Sequence, residues 1–273
     1  MNTKAVFGFR NRRGWRQTSW GRRASVDLAR FVEAVPSTIC VYLEDPYARS
    51  LSCNVLKVVE EKNTVYLALD RTIFHPRSGG QPSDRGTIEG ASFRVDLKRA
   101  MLSGEVVVHY GKFDGKPDLG LVTCKIDWPS RFLMMRRHTA AHLLDYCLAI
   151  DTNARVETTD SWLGDDPYVG YGGVPPSGLD LTRVEELANG FIQRSLSVDA
   201  KTLDRAAAER LIANAPNVSR LPKSDRLRIV TIEGQLPIPC GGTHVRSLGE
   251  IGALEVRRVE SAEAGFRLHF EVK

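Results

Sequence analysis

The feature that most constrains the fold is a change in hydrophobic period near Trp128. From about Thr38 to Trp128, apolar and β-branched residues alternate with polar residues in short segments that Gly, Pro and Asp interrupt. This period-2 pattern predicts many short antiparallel strands, which favours a small barrel or sandwich. After Pro129 the period becomes helical over 131–148, and helices and strands then follow in mixed order. The second half of the chain is therefore predicted to be an α+β domain.

The length of 273 residues allows two such units, each with its own core. We predict a basic, disordered leader at 1–36, a β domain at 37–129 and an α+β domain at 130–273. Residues 1–26 carry seven basic side chains and no acidic one, whereas the rest of the chain has 31 basic and 33 acidic residues. The formal charge of +5 therefore comes from the leader and gives no evidence of a nucleic-acid partner for the body.

The leader has three competing explanations. It could be an organelle transit peptide, an arm that contacts RNA, or the product of a wrongly extended reading frame. The sequence contains no run of about 18 apolar residues and no apolar secretory signal, so no membrane partner is expected. Five widely spaced cysteines predict reduced thiols or a metal ligand. We expect a cytoplasmic protein, with organelle targeting by the leader as the alternative.

Two pairs of residues with metal-binding side chains lie in the second half of the chain. His138 and His142 are four residues apart in the predicted helix, and Cys240 and His244 lie on a Gly-rich turn further along. Residues four apart on a helix share one face, so both imidazoles can reach a single ion. Three imidazoles and one thiolate suit tetrahedral zinc. The sequence therefore predicts a Zn²⁺ site at these four residues.

Each pair also has a simpler interpretation. An HxxxH or CxxxH pair alone is more often a surface or core feature than a metal site, so the metal interpretation depends on their combination. Thr139 stands where HExxH metalloproteases carry a glutamate. Peptide hydrolysis by that mechanism is therefore disfavoured.

The Gly-rich segment at 74–86 carries the second signal. Adjacent Gly79 and Gly80 permit positive φ and a close backbone approach to a ligand, and Gln81 would project from the bend with a donor and an acceptor. The alternative is an ordinary turn between strands.

A third candidate is the basic cluster of Arg131, Arg136 and Arg137. Such a cluster is typical of a solvated surface or, less often, of a phosphate-binding track. The sequence does not decide between the two.

Taken together, the motifs resemble the editing domain of alanyl-tRNA synthetases, and most closely the free-standing AlaX proteins that act in trans. The motifs are YLEDP at 42–46, GGQPSDRG at 79–86, HTAAHLL at 138–144 and CGGTHV at 240–245, in the family's order. The likeness covers roughly residues 38–273. Shorter members of the family keep only the second half, so the Gly79-Gly80-Gln81 segment marks this chain as a longer form with a barrel.

The resemblance implies a fold, a cofactor and an activity. The fold is an N-terminal small antiparallel β-barrel followed by an α+β editing domain of the threonyl/alanyl-tRNA synthetase type. Zn²⁺ is expected on His138, His142, Cys240 and His244. The expected activity is hydrolysis of the ester that joins a wrong amino acid, serine above all and sometimes glycine, to the 3′ end of alanine tRNA. Mischarged alanine tRNA is thus the expected partner.

The resemblance also suggests individual roles. We expect Cys240 to be the ligand most closely tied to activity, and Gln81 to contact the ester or terminal ribose beside Gly79 and Gly80. Thr158 or Thr159, by position after the helix, would pair with the serine hydroxyl; their simpler interpretation is as ordinary strand residues.

Two other functions compete with editing. In a zinc-stabilised RNA-binding module without catalysis, four permanent ligands would only hold the fold. The Gly-Gly-Gln segment also suggests peptidyl-ester release, as in release factors, but three residues are too few to support it.

Overall fold

The computed structural model describes residues 26–153, 157–213, 221, 224–235 and 237–273. Residues 1–25, most of the predicted leader, lie outside this range. The described elements follow one another as α1 (Leu28–Val32), β1 (Ile39–Cys40), β2 (Ser50–Glu61), β3 (Thr64–Leu69), β4 (Arg71–Thr72), β5 (Gly86–Glu89), β6 (Phe93–Ser103), β7 (Val106–Gly115), β8 (Gly120–Ile126), α2 (Trp128–Thr152), β9 (Thr158–Trp162), β10 (Tyr168–Gly172), α3 (Leu181–Gln193), β11 (Val198–Asp204), α4 (Arg205–Leu211), β12 (Arg226–Ile232), β13 (Ile238–Pro239), β14 (Leu254–Ala262) and β15 (Gly265–Val272).

The first unit is a closed antiparallel barrel with strand order β2-β3-β7-β6-β5-β8. Its interior is filled by branched and aromatic side chains at alternating positions, such as Val65, Leu67 and Leu69 on β3. Alternation arises because successive strand residues point to opposite faces, and closure leaves the sheet without a free edge. The predicted antiparallel barrel is confirmed.

The prediction of a disordered leader is wrong for residues 26–36, which include the short helix α1. Asp27 caps the short helix α1 by accepting hydrogen bonds from the amides of Ala29 and Arg30. Phe31 is buried on the outside of the barrel against Tyr66 and other apolar side chains. The segment looked featureless because five residues are too short for a periodic signal. Its order comes from burial of Phe31 together with the partly buried Val26, Leu28, Val32 and Val35.

The second unit is built around helix α2, which is 25 residues long. Asp127 caps it by accepting from the amide of Ser130, Pro129 lies in its first turn, and Asn153 ends it in the left-handed conformation. Side chains of α2, α3 and the inner face of a four-stranded antiparallel sheet, in the order β14-β15-β10-β9, share one hydrophobic core. The α+β class of this half is confirmed.

Smaller elements complete the second unit. Strands β11, β12 and β13 form a separate three-stranded sheet that leads into the 240–244 turn. Helix α3 is capped by Asp180, which accepts from the amides of Thr182 and Arg183. Glu185 of this helix accepts a hydrogen bond from the amide of Val256. None of the described helices is long and apolar enough to span a membrane.

Candidate metal centre and active site

The structure brings together the four residues that the sequence pairs predict as metal ligands. One ligand atom from each of His138, His142, Cys240 and His244 lies within 4.8 Å of the other three. The Cys240 sulfur is 3.4 Å from His138 Nε2 and 3.3 Å from His244 Nε2. A tetrahedral zinc ion would hold nitrogen and sulfur about 3.5 Å apart, given ordinary zinc–ligand bond lengths. His142 Nε2 is buried without a hydrogen-bond partner, so these residues fit a metal ion.

Gln81 fixes the tautomer of His138. Its Oε1 lies 2.9 Å from His138 Nδ1 and accepts a hydrogen bond of 3.1 Å from the amide of Thr243. Its Nε2 donates to Thr243 Oγ1 at 2.8 Å, which confirms the orientation of the amide. Because Oε1 can only accept, His138 Nδ1 carries the proton and Nε2 is free to bind a metal.

Thr139 plays the corresponding part for His244. Its hydroxyl donates to the carbonyl oxygen of Met135 at 2.9 Å and accepts from the amide of Val245 at 3.2 Å. Its single proton is thus used, so His244 Nδ1, 3.2 Å away, must be the donor in their contact. His244 Nε2 is then the free atom that faces Cys240. Thr139, which stands where HExxH metalloproteases carry a glutamate, therefore positions His244.

The surroundings favour neutral imidazoles. Burial holds the pKa of His138 and of His244 well below the ordinary value, and neighbouring histidines act in the same direction. Burial lowers the pKa of His142 to about 4. It raises the pKa of the Cys240 thiol, against the opposing effect of Arg228. Neutral imidazole is the form that binds metals, whereas the thiol must lose its proton on binding.

The turn at 240–244 is positioned by a partly buried cation and a close contact. The Arg228 guanidinium donates to the carbonyl oxygens of Cys240 and Gly242, both at 2.9 Å. A Cβ atom on Gly242 would lie 2.0 Å from the His138 ring, whereas one on Gly241 would meet nothing within 4 Å. The turn therefore needs glycine at position 242 because the imidazole approaches the backbone, rather than because both glycines must bend it.

The Gly79-Gly80 segment is a tight turn with positive φ at both glycines, +54° and +77°, as predicted. A Cβ atom on Gly80 would lie 2.3 Å from the Ser161 hydroxyl oxygen, and the Gly80 carbonyl accepts from the amide of Leu163 at 3.0 Å. Gly79 is exposed and has open space beside it. The turn thus joins the barrel to β9 at the rim of the site and sends Gln81 inward.

The full burial of Gln81 was not foreseen. Its amide is occupied by His138 and Thr243, so the structure places it as a residue that orients a metal ligand. The predicted contact of Gln81 with the ester or terminal ribose, and with it the predicted substrate-binding role of Gly79 and Gly80, stays a prediction.

The two candidate specificity residues, Thr158 and Thr159, lie at the start of β9. The Thr158 hydroxyl donates to Asp145 at 3.3 Å, and Asp145 follows His142 by one helical turn on α2. Thr159 is exposed, and its hydroxyl lies 3.3 Å from Asp160. The structure thus brings Thr158 closer to the metal ligands than Thr159, and the pairing of either with a serine hydroxyl stays a prediction.

Asp145, one helical turn after His142 on α2, is a further functional candidate. Its carboxyl accepts a 2.8 Å hydrogen bond from the Tyr171 hydroxyl as well as that from Thr158. Burial raises the pKa of Asp145 to about 7, and its two hydrogen bonds only partly oppose this. Tyr171 could not be assigned from sequence, because its contact with Asp145 joins β10 to helix α2, 26 residues apart.

The basic cluster is neither a solvated surface nor a phosphate track. Arg131 is completely buried and ion-paired with Asp84. Arg137 forms a bidentate pair with Glu271 at 2.9 and 2.7 Å. Arg136 donates to backbone carbonyls, including that of Ile251. All three guanidinium groups are engaged within the protein, and helical spacing alone could not reveal this.

Comparisons with known proteins agree with this geometry. The family model of tRNA synthetases class II (A) matches residues 48–130, and that of the threonyl and alanyl tRNA synthetase second additional domain matches residues 227–267. The alanine–tRNA ligase of Pyrobaculum neutrophilum is 32% identical over 252 residues, which are 86% of this chain and 27% of that protein. The alanine–tRNA ligase of Hyperthermus butylicus is 33% identical over 259 residues, 90% of this chain and 26% of that protein.

The alanyl-tRNA editing protein AlaX-L of Pyrococcus horikoshii is 34% identical over 224 residues, which are 80% of this chain and 54% of that protein. The chain thus spans about half of AlaX-L and about a quarter of the ligases. Both family-model matches lie within the part of the chain that the motifs covered. The predicted resemblance is confirmed: the chain is related to the alanine–tRNA ligases and to the AlaX-type alanyl-tRNA editing proteins.

Proposed function

We propose that this protein is a zinc-dependent aminoacyl-tRNA deacylase. Its substrate would be alanine tRNA that carries the wrong amino acid, serine above all and also glycine, as an ester on the 3′ end. The observation that carries the proposal is the His138, His142, Cys240 and His244 cluster, in which Gln81 and Thr139 leave two imidazole Nε2 atoms free for a metal. The similarity to the alanyl-tRNA editing protein AlaX-L supports alanyl-tRNA editing as the activity.

An aminoacyl ester is already activated, so catalysis needs mainly an oriented water and stabilisation of negative charge on the carbonyl oxygen. Zinc held by these four residues would supply Lewis acidity for that purpose. The task of Gln81 is to keep His138 in the metal-binding tautomer, and Thr139 does the same for His244. Arg228 holds the turn that carries Cys240. Cys240 and His142 are both partly buried, and Cys240 is our candidate for the ligand most closely tied to activity.

Discrimination against alanine would come from a buried polar group that the serine hydroxyl satisfies. Thr158 is our candidate, because its hydroxyl lies 3.3 Å from Asp145, one helical turn after His142 on α2. Such a site can reject an analogue that lacks the hydroxyl by as much as about 10⁴- to 10⁵-fold. Glycine cannot be recognised in this way.

A non-catalytic RNA-binding module is the second candidate, because four protein ligands ordinarily close the shell of a structural zinc ion. One experiment distinguishes the deacylase from the RNA-binding module. Hydrolysis of seryl, glycyl and alanyl esters of alanine tRNA is followed with the wild type and with Cys240→Ala, and Cys40→Ala serves as a cysteine control outside the cluster.

We expect rapid loss of the seryl ester with the wild type and the control, and loss of activity in Cys240→Ala with the fold retained. An inactive wild type that unfolds on removal of Cys240 would favour the binding module. Activity in the cytoplasm, where such tRNA is used, remains part of the proposal.

A further inference from the structure

The outer face of the four-stranded sheet carries a row of aromatic and basic side chains. Trp162 on β9 lies opposite Tyr168 on β10, Tyr168 opposite His269 on β15, and His269 opposite Arg258 on β14. Residues adjacent to this row, such as Val169, point the other way into the core. The row therefore faces away from the helices.

The row begins at the rim of the metal site. Trp162 directly precedes Leu163, whose amide donates to the carbonyl oxygen of Gly80 in the turn that carries Gln81. The neighbouring Ser161 hydroxyl contacts Gly79. Arg77 reaches from the same turn over the indole ring of Trp162, with its guanidinium carbon 5.1 Å from the ring centroid. A ligand that approaches the metal cluster past the Gly79-Gly80 turn would therefore pass the side chains of Arg77 and Trp162.

Arg77 differs from the other arginines of this face in its partners. Arg258 is paired with Asp166 at 2.7 Å, and Arg267 lies near Glu260 at 3.7 Å. Arg77 is exposed and forms no ion pair with any residue in the described part of the chain. Its guanidinium thus offers its donors to a ligand, whereas Asp160, Asp166 and Glu260 of this face each lie within 4.0 Å of Arg258 or Arg267.

Trp162 is held in place but partly exposed. Its indole N–H donates to the carbonyl oxygen of Asp165 at 3.1 Å, and a Cβ atom on Gly164 would lie 2.5 Å from the ring. The ring is therefore fixed against the backbone, whereas the Arg77 side chain that covers it has no hydrogen-bond acceptor among the residues that the structure describes. A flat ligand can displace the guanidinium from the ring or stack on its plane, and the guanidinium can turn to an anion beside it.

An aromatic ring beside an unpaired guanidinium is the chemistry that proteins use for single-stranded nucleic acid: bases stack on the ring and phosphates pair with the cation. We infer that Trp162 and Arg77 bind the unpaired 3′-terminal nucleotides of the tRNA, one of them stacking on Trp162 and its phosphate pairing with Arg77. The inference rests on the proposed function for the identity of the RNA. It supplies the contact that directs the esterified end to the metal cluster.

The first test measures binding without catalysis. The probe is an uncharged, 5′-labelled RNA of the four unpaired 3′-terminal nucleotides of alanine tRNA, titrated with the zinc-loaded full chain. We expect Trp162→Ala to raise Kd about 5- to 150-fold, the loss for one stacked base, and Trp162→Phe to retain much of the affinity. Arg77→Ala should weaken binding and reduce the slope of log Kd against log salt by about one.

Arg210→Ala is the matched control. Arg210 is an exposed cation on α4, outside the site, and its loss changes the net charge by the same amount. Binding and salt slope should be unchanged in this variant. Equal weakening by Arg77→Ala and Arg210→Ala would mean that only net charge matters and would overturn the inference, as would wild-type affinity in both Trp162→Ala and Arg77→Ala.

A kinetic test separates this inference from the proposed function. For hydrolysis of mischarged alanine tRNA, the variants at Arg77 and Trp162 should raise KM about tenfold while kcat changes much less, because the contact orients RNA before the chemical step. A wild type that hydrolyses the ester while both variants keep its KM would refute the RNA site and leave the deacylase intact. A wild type that hydrolyses no ester but binds the RNA through both residues would refute only the deacylase.

Discussion

Loss of the Arg131 side chain should destabilise the protein more than loss of any exposed arginine. Its guanidinium Nε lies 3.0 and 3.2 Å from the two carboxylate oxygens of Asp84, and the group also donates to the carbonyl oxygens of Pro46 at 2.9 Å and Ile73 at 2.5 Å. Neither charged side chain is more than 2% exposed. Arg131→Met preserves the aliphatic stem and removes every one of these donors.

The magnitude follows from the charge that is left behind. Removal of one partner from a buried ion pair costs about 3–5 kcal/mol, because the other charge stays buried without compensation. Burial already raises the pKa of Asp84, and Arg131 opposes that effect. Without Arg131 the pKa of Asp84 rises further above its unfolded value. The loss of stability should therefore be larger at pH 8 than at pH 5. At pH 8 the folded variant must either bury the Asp84 carboxylate without a partner or protonate it far above its unfolded pKa, and both cost free energy.

Urea unfolding measures the effect through the change in the free energy of unfolding. Arg94→Met is the control, because Arg94 forms an exposed ion pair with Glu89 at 2.8 Å and its side chain is 57% exposed. Loss of such a pair costs about 1 kcal/mol or less. Asp84→Asn combined with Arg131→Met should cost less than the sum of the two single changes. A cost for Arg131→Met below about 1 kcal/mol, or equal costs at pH 5 and 8, would refute the reasoning.

Two further predictions concern the surroundings of the metal cluster. Gln81→Leu removes the acceptor that fixes His138, so we expect zinc affinity to fall about 10- to 100-fold, measured in competition with a chelator. The control Gln193→Leu changes an exposed glutamine and should alter zinc affinity little. Unchanged affinity in Gln81→Leu would contradict the positioning role of Gln81. The pKa of Asp145 is raised to about 7 from 3.8, so the stability that Asp145 contributes is lost as pH rises through that window. Relative to wild type, Asp145→Asn should gain about 3 kcal/mol of unfolding free energy between pH 4 and 7, and a constant difference across that range would show that Asp145 ionises normally.

The candidate metal cluster could be predicted from the sequence because two of its four residues, His138 and His142, lie four positions apart on one helix. His138 and His142 share a helical face wherever the helix packs, and the Cys240–His244 turn needed only to meet that face. The barrel followed from strand alternation, and the Gly79-Gly80 turn from the backbone freedom of glycine. Each of these depends on residues close together in the chain.

Contacts between distant segments were beyond this reasoning. Arg131 has a charged side chain and lies in a basic cluster, yet its partner Asp84 is 47 residues earlier and on the other unit. Gln81 was expected to contact the ester or terminal ribose, and its hydrogen bonds with His138 and Thr243, 57 and 162 residues away, were not foreseen. Residues 26–36 looked disordered because their order comes from the barrel surface against which Phe31 packs. Tertiary partners, not local propensity, decide these three cases.

The central claim is that ester hydrolysis depends on a metal ion held by the 138/142/240/244 cluster. The most direct measurement titrates metal-free protein with Zn²⁺. Bound metal and hydrolysis of the seryl ester of alanine tRNA are followed in the same samples. The account predicts that activity rises in proportion to bound zinc and levels off at one equivalent, and that His138→Ala neither binds the ion tightly nor hydrolyses the ester. Full activity of the metal-free wild type, or stoichiometric zinc without hydrolysis, would contradict it.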